Sequence, residues 1–312
     1  MMKVYFIVGP TASGKSEFAI EAAEKFNGVI VNADSLQFYQ DLSIGSAAPT
    51  NLDFKKVPHY LFHCLSYPEE VTVGWFYRKV METLNELKSQ VVDHVFVVGG
   101  SGFYLDVLEK GLLPVGGENP ELRSELESQI VIGKGDVLYQ ELVQLDPDWA
   151  KKIKPQDSYR LVRALEIIKT SGRTLTSLHQ EWEVNRPKFP YPLVKLGLIG
   201  SKEWTLNRVK MRTHQMIQKG LISEVRPFYE KGITNWAPLK SVGYKETVQF
   251  LKGEIKSILE LEEAIVKATM LLVKKQKTWF KRDRQVKWLF PEKAQLLSWA
   301  LENRYFNANF EN

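Results

Sequence analysis

Cysteine is almost absent from this 312-residue chain: its one copy, Cys64, has no partner for an internal disulfide. Nothing in the sequence therefore asks for an oxidising compartment. No apolar run approaches the ~18–20 residues needed to cross a bilayer. Met1 to Val8 lacks signal-peptide anatomy and is expected to lead directly into a strand. Internal repeats and low-complexity segments are missing too. These absences argue against secreted, membrane-spanning and disulfide-framework proteins, and the cytoplasm is the expected setting. No self-complementary apolar stripe stands out, so a monomer is expected. What is present suits an ordinary globular protein, with 44% hydrophobic and 25% charged residues. The length fits two domains, or one large domain with an insertion.

The net charge is +5, and its distribution says more than its size. Between Lys267 and Lys287 stand eight basic residues against the single acid Asp283, so that this segment is +7 and the remainder −2. A milder concentration runs from Lys151 to Arg173, with seven basic residues against Asp157 and Glu166. Basic patches interleaved with Trp279, Phe280 and Trp288 suit a phosphate-backbone partner such as RNA. A solvated helix face is the plain alternative.

The run from Val4 to Val8, ended by Gly9, reads as a buried strand. A helix is expected over 15–25 and a second strand over Val29–Asn32. A helix around 74–90 then leads to a third strand at Val95–Val98. This alternation predicts an α/β fold, a parallel sheet flanked by helices. From residue 114 to 192 the character changes. Pro114, Gly116 and Gly117 break the chain, and helix-like stretches follow until the cluster of Pro187, Pro190 and Pro192. That predicts a helical insertion at 114–192 within a core made of 1–113 and 193–312. A return strand is expected from Val194.

Gly9, Pro10, Thr11, Ala12, Ser13, Gly14, Lys15 and Ser16 fit the P-loop pattern GxxxxGK[ST] between a strand and a helix. Glycines let such a loop wrap with its N–H groups inward, and the helix N-terminus adds partial positive charge. Lys15 would neutralise phosphate oxygens, and the Ser16 hydroxyl could ligate Mg²⁺. The pattern identifies a polyphosphate site without naming the polyphosphate; ATP is only the default. Asp34 follows the second strand, where chemistry occurs in open α/β sheets. It reads as a Mg²⁺ ligand of a hydrolase, as a general base, or as a turn residue. The third strand ends in Gly99, Gly100 and Ser101 with no acid, which lowers the ATPase reading. Arg208 and Arg212 share one face of a predicted helix and could clamp phosphate. Arg160 and Arg163 are spaced for the same role.

These runs, taken together, resemble the tRNA dimethylallyltransferase family. GPTASGKS (9–16), NADSLQFYQDLSIG (32–45), VPHYLF (57–62), VVGGSGFY (97–104), DSYRLVRALEI (157–167), RTHQMIQKGLISEV (212–225), SVGYKE (241–246) and KKQKTWFKRD (274–283) follow in order along nearly the whole chain. The resemblance implies a P-loop NTPase-like core whose P-loop holds dimethylallyl diphosphate with Mg²⁺. The acceptor would be the exocyclic amine of the adenine 3′ of the anticodon in tRNA, giving N6-isopentenyladenosine. Asp34 would take the amine proton, and Ser101 would orient the reacting group. Arg212 would stabilise the departing diphosphate, with Arg208 as a second diphosphate-binding residue. The target base must leave its stack to react. By the same resemblance the tRNA path would be lined by Asp34, Ser35, Leu36, Gln37 and Ser101. In the insertion it would include Arg123, Tyr159, Arg160, Leu161, Val162 and Arg163. Further along it would take in Lys240, Ser241, Val242, Gly243, Tyr244 and Lys245, then Lys274, Lys275, Gln276, Lys277, Thr278, Trp279, Phe280 and Lys281. The anticodon stem-loop is thus the expected partner, with no membrane.

Three positions depart from the family's usual pattern. Ser101 stands for threonine and keeps the hydroxyl. Ala48 stands for lysine and removes a charge near the substrate mouth. Lys275 stands for arginine and loses the bidentate fork. Rival readings are an isopentenyltransferase of free AMP or ADP, a P-loop kinase or ATPase, and an inactive tRNA-binding protein. The basic segment and the helical insertion favour tRNA over a free nucleotide.

Overall fold

A computed structural model of the chain describes residues 1–117, 119–293 and 295–307. It divides into two compact units, Met1–Glu109 with Phe189–Asn312, and Lys110–Lys188. The first opens with β1 (Lys3–Val8), α1 (Lys15–Phe26), β2 (Val29–Asn32), α2 (Asn51–Lys56), β3 (His59–Tyr60), α3 (Val73–Ser89), β4 (His94–Gly99) and α4 (Gly102–Lys110). The second holds α5 (Pro120–Val131), α6 (Gly135–Leu145), α7 (Pro147–Ala150), α8 (Ser158–Ser171) and α9 (Leu175–Asn185). The first unit resumes with β5 (Leu193–Leu198), α10 (Lys202–Gln218), α11 (Leu221–Glu230), α12 (Tyr244–Leu251), α13 (Ile258–Phe280), β6 (Lys287–Leu289) and α14 (Leu296–Glu302).

Six strands form one sheet in the order β3-β2-β4-β1-β5-β6, and all five pairings are parallel. Side chains alternate along β1. Val4, Phe6 and Val8 face a core that also takes Phe76, Leu84, Leu105, Val225, Tyr244 and Ile265. Tyr5 and Ile7 face the opposite core with Phe18, Ala19, Ala22 and Ala23 of α1. Burial on both faces explains why β1 and β4 read as continuous apolar runs rather than alternating ones.

Two strands differ from expectation. Val95–Val98 belongs to the fourth strand in chain order, because the two-residue β3 precedes it. The three-residue β6 was not expected either. The units part at Lys110 and Lys188 rather than at 114 and 192. Gly111, at φ +85°, ends α4 in a backbone conformation that favours glycine. At the other end Phe189 already packs edge-on against Phe6, with ring centroids 5.7 Å apart. Residues 308–312 of the expected core segment lie outside the described residues.

The helical unit has its own core of Leu126, Leu138, Leu142, Leu161, Val162, Leu165 and Ile168. Beside that core Glu166, 1% exposed, meets Arg123 Nε at 2.9 Å and Arg163 Nη1 at 2.8 Å. It also accepts the Asn119 N–H at 3.0 Å. Burial alone would raise this carboxyl. The two guanidinium groups and the N–H outweigh it and hold the group below the usual glutamate range. Among the described residues no helix is long and apolar enough to cross a membrane.

Candidate active site

Strands β2, β4 and β1 are neighbours in the sheet, so the loops at their C-terminal ends are neighbours too. These loops carry Asp34, Ser101 and the P-loop. Parallel order thus gathers residues that lie far apart in the chain.

The P-loop is tightly wound. Gly9 has φ +146°, and a Cβ there would overlap the Leu198 carbonyl oxygen of the adjacent strand. Gly14, at φ +85°, is the N-cap of α1. Lys15 Nζ donates to the Pro10 carbonyl at 3.0 Å and closes the loop on itself. Burial lowers the Lys15 ammonium to about 8, against the pull of Asp34 in the other direction. The Ser13 hydroxyl is buried with no hydrogen-bond partner among the described residues. Ser16 is exposed in the first turn of α1.

Asp34 is held in a turn. Its N–H donates to Asn32 Oδ1 at 2.7 Å, and its own Oδ1 accepts the Leu36 N–H at 3.1 Å. Asn32 Nδ2 donates to the Asp34 and Leu61 carbonyls at 3.2 and 3.1 Å. The turn reading is thus met, and among the described residues these hydrogen bonds use only one of the two carboxylate oxygens.

Arg212 comes from α10. Its Nη1 donates to Thr11 Oγ1 at 3.2 Å and its Nη2 to the Ser46 carbonyl at 3.3 Å. Burial lowers its guanidinium pKa, with Asp34 and Glu17 opposing. Gln276 of α13 accepts the Thr11 N–H at 2.8 Å and donates to the Gly100 carbonyl at 2.9 Å.

A cavity of about 400 Å³ lies among these groups. Thr11, Ala12, Asp34, Ser35, Leu36, Gly100, Ser101, Arg212 and Gln276 line its polar end, with Lys240, Ser241, Val242 and Gly243 at another wall. Val209, Thr213 and Met216 of α10, with Ile265, Thr269 and Leu272 of α13, supply a largely apolar wall. Their spacing of three and four residues was legible as a helix stripe. Such a stripe reads equally as core, so nothing in it announced a cavity.

Other expected site residues sit elsewhere. Arg208 does not line the cavity: its Nη2 meets Glu17 at 2.7 Å, and its guanidinium lies 4.9 Å over the Trp204 ring. The i, i+4 pair is split because Glu17 on α1 captures one member. Gln37 donates to the Ser46 and Ala47 carbonyls, both at 3.1 Å. Tyr244, Phe280, Leu161 and Val162 are buried core residues, so their side chains cannot line an RNA path. Arg123 and Arg163 are committed to Glu166, and Arg160 pairs with Asp157. Tyr159, Lys245 and Lys281 are exposed. Lys277 donates to the Gly200 carbonyl at 2.9 Å.

Lys274, Lys275, Thr278 and Trp279, with Leu271 and Arg282, line a second, more open groove of about 420 Å³. Trp279 packs so closely on Gly102 that a Cβ there would overlap its ring. Arg282 lies 5.8 Å from the Trp279 centroid.

The profile of the IPP transferase family matches residues 37–283, and that of isopentenyl transferase matches residues 2–67. A tRNA dimethylallyltransferase of Bdellovibrio bacteriovorus is 42% identical over 286 residues, which cover 91% of this chain and 92% of that protein. The crystal structure of a tRNA isopentenylpyrophosphate transferase from Bacillus halodurans superposes with a TM-score of 0.71 at 28% identity, over 98% of this chain and 95% of that one. A eukaryotic dimethylallyltransferase that acts on tRNA superposes at 0.84 with 23% identity, over 100% and 82%, and that likeness concerns the fold alone.

Proposed function

The chain belongs to the IPP transferase family and is a tRNA dimethylallyltransferase; from that premise we propose the chemistry of its cavity. The exocyclic amine of the adenine 3′ of the anticodon attacks C1 of dimethylallyl diphosphate. A C–N bond forms, the allylic C–O bond breaks, and diphosphate leaves. The amine proton passes to Asp34 as general base. The observation that carries this reading is a single cavity lined by Asp34, Ser101 and Arg212 together with Thr11 and Ala12 of the P-loop.

Charge complementarity supports each role. The wound P-loop, with the unpartnered Ser13 hydroxyl inside it, suits the diphosphate. Lys15 and Arg212 counter the charge that grows on the leaving group. Ser101 is a weak base and orients the reacting amine. The apolar residues of α10 and α13 offer the allyl group a dry wall, which protects a reactive allylic centre from water. Mg²⁺ fits the exposed Ser16 hydroxyl beside this loop, because the ion binds through a few oxygens and substrate phosphates. When bound there it would neutralise charge on the diphosphate.

The basic groove of Lys274, Lys275, Trp279 and Arg282 supports tRNA as the acceptor. It combines cations for phosphates with an indole for base stacking.

The test is transfer of labelled dimethylallyl diphosphate to total tRNA, to AMP and to no acceptor, with Mg²⁺. Label is expected in tRNA, and Asp34→Asn should cut turnover by about 10²–10⁴ while leaving tRNA affinity intact. Normal turnover in that variant would remove Asp34 from the mechanism. Label in AMP alone would move the enzyme to free nucleotides.

A further inference from the structure

Arg212 is one of two cationic groups in the proposed leaving-group site, and half of its support is the Ser46 carbonyl. What holds Ser46 in place is therefore part of the chemistry. Three successive backbone N–H groups of this loop are captured from behind. Glu224 Oε2 accepts the Ile44 N–H at 2.6 Å, and its Oε1 accepts the Gly45 N–H at 3.2 Å. The Tyr244 hydroxyl accepts the Ser46 N–H at 3.0 Å and donates to Glu224 Oε1 at 2.8 Å. Gly45 is needed because a Cβ there would overlap the Tyr244 ring. Burial, and next the Glu224 charge, push the Tyr244 phenol well above its ordinary value. The hydroxyl thus stays protonated and can serve both partners at neutral pH.

We propose that Glu224 and Tyr244 form a positioning pair that fixes the loop around Gly45 and Ser46 so that Arg212 is aimed at the diphosphate. The chain of contacts runs from Glu224 through Tyr244 and the Ser46 peptide to the guanidinium, and Thr11 of the P-loop completes its cradle. Neither residue touches substrate; both act through Arg212. The inference rests on the diphosphate site proposed above, and its test does not depend on prenyl transfer.

The experiment measures binding of inorganic diphosphate with Mg²⁺ to the full chain by calorimetry, in a double-mutant cycle. Tyr244→Phe keeps the ring and removes only the hydroxyl. It should weaken binding about fivefold to tenfold, the scale of one buried hydrogen bond lost. Arg212→Lys should weaken binding further. In the Arg212→Lys background Tyr244→Phe should change affinity less than twofold. Equal weakening in both backgrounds would assign the hydroxyl a general structural role and overturn the proposal, as would unchanged binding in the single variant. Should Tyr244→Phe fail to fold, Glu224→Gln supplies the same cycle, since it keeps the size of the side chain. Wild-type prenyl transfer is run alongside. Its absence, with coupled diphosphate binding intact, would count against the reaction and not against the positioning pair.

Discussion

Gln276 reaches Thr11 across 265 positions of sequence: its Oε1 accepts the Thr11 N–H at 2.8 Å. Its Nε2 donates to the Gly100 carbonyl at 2.9 Å. One amide therefore sets the spacing between the P-loop and the loop that carries Ser101, using its acceptor on one side and its donor on the other.

That two-sided role predicts the effect of Gln276→Glu. The substitution keeps the size but removes the donor facing Gly100 and adds a negative charge beside the proposed diphosphate site. KM for dimethylallyl diphosphate should rise about 10–100-fold, with the melting temperature nearly unchanged. Steady-state kinetics checks this, and a rise below threefold would show that the P-loop needs no such strut.

Lys15 should set a pH limit on diphosphate binding at the proposed site. Burial lowers its ammonium to about 8 in the free protein, and the bound diphosphate should raise it again. Binding must then take up protons near pH 8. Affinity should be highest below pH 8 and fall by up to about tenfold per unit above it. Calorimetry of inorganic diphosphate binding at pH 7, 8 and 9, in buffers of different ionisation enthalpy, reads both effects. The effect on stability has the opposite sense. A lysine depressed in the fold penalises folding at low pH, and the penalty is relieved as pH rises from about 8 towards 10.5.

Glu166→Gln should destabilise the helical unit by about 2 kcal/mol. Breaking a fully buried pair costs more, but here the two arginines are partly solvated. The wild-type carboxyl sits below its ordinary value of 4.5. Its stabilisation is therefore complete above that value and lost as pH falls through the depressed one. Thermal melts between pH 7 and pH 3 should show a decline that the variant lacks in part.

Lys275→Ala should weaken tRNA binding and reduce the slope of log affinity against log salt by about one. Filter binding across a salt series measures it. An unchanged slope would place Lys275 off the phosphate path.

Local signals made the centre of the sheet readable. β1, the P-loop and α1 combine a continuous apolar run, glycines at positive φ and a helix start within about 25 residues. β3 and β6, at two and three residues, are too short for any period to register. The same limit applies to the site. Asp34 and Ser101 could be read because they follow strands, where chemistry tends to lie. Arg208 and Arg212 looked equivalent on the helix, and only Glu17, 191 positions away from Arg208, separates them. Glu224 gave no sign of its role, since its partners are backbone N–H groups about 180 positions earlier. Burial undid other expectations. Leu161, Val162, Tyr244 and Phe280 sit inside runs that match the family, yet their side chains are core.

The distance from Thr11 to Gln276 also bears on biosynthesis. On the ribosome the P-loop emerges well before Gln276, and its strand and helix can dock in the meantime. The strut that sets its spacing from Ser101 is made 265 positions later. Until α13 emerges, a nascent chain would thus hold a phosphate loop whose spacing from Ser101 is not yet set.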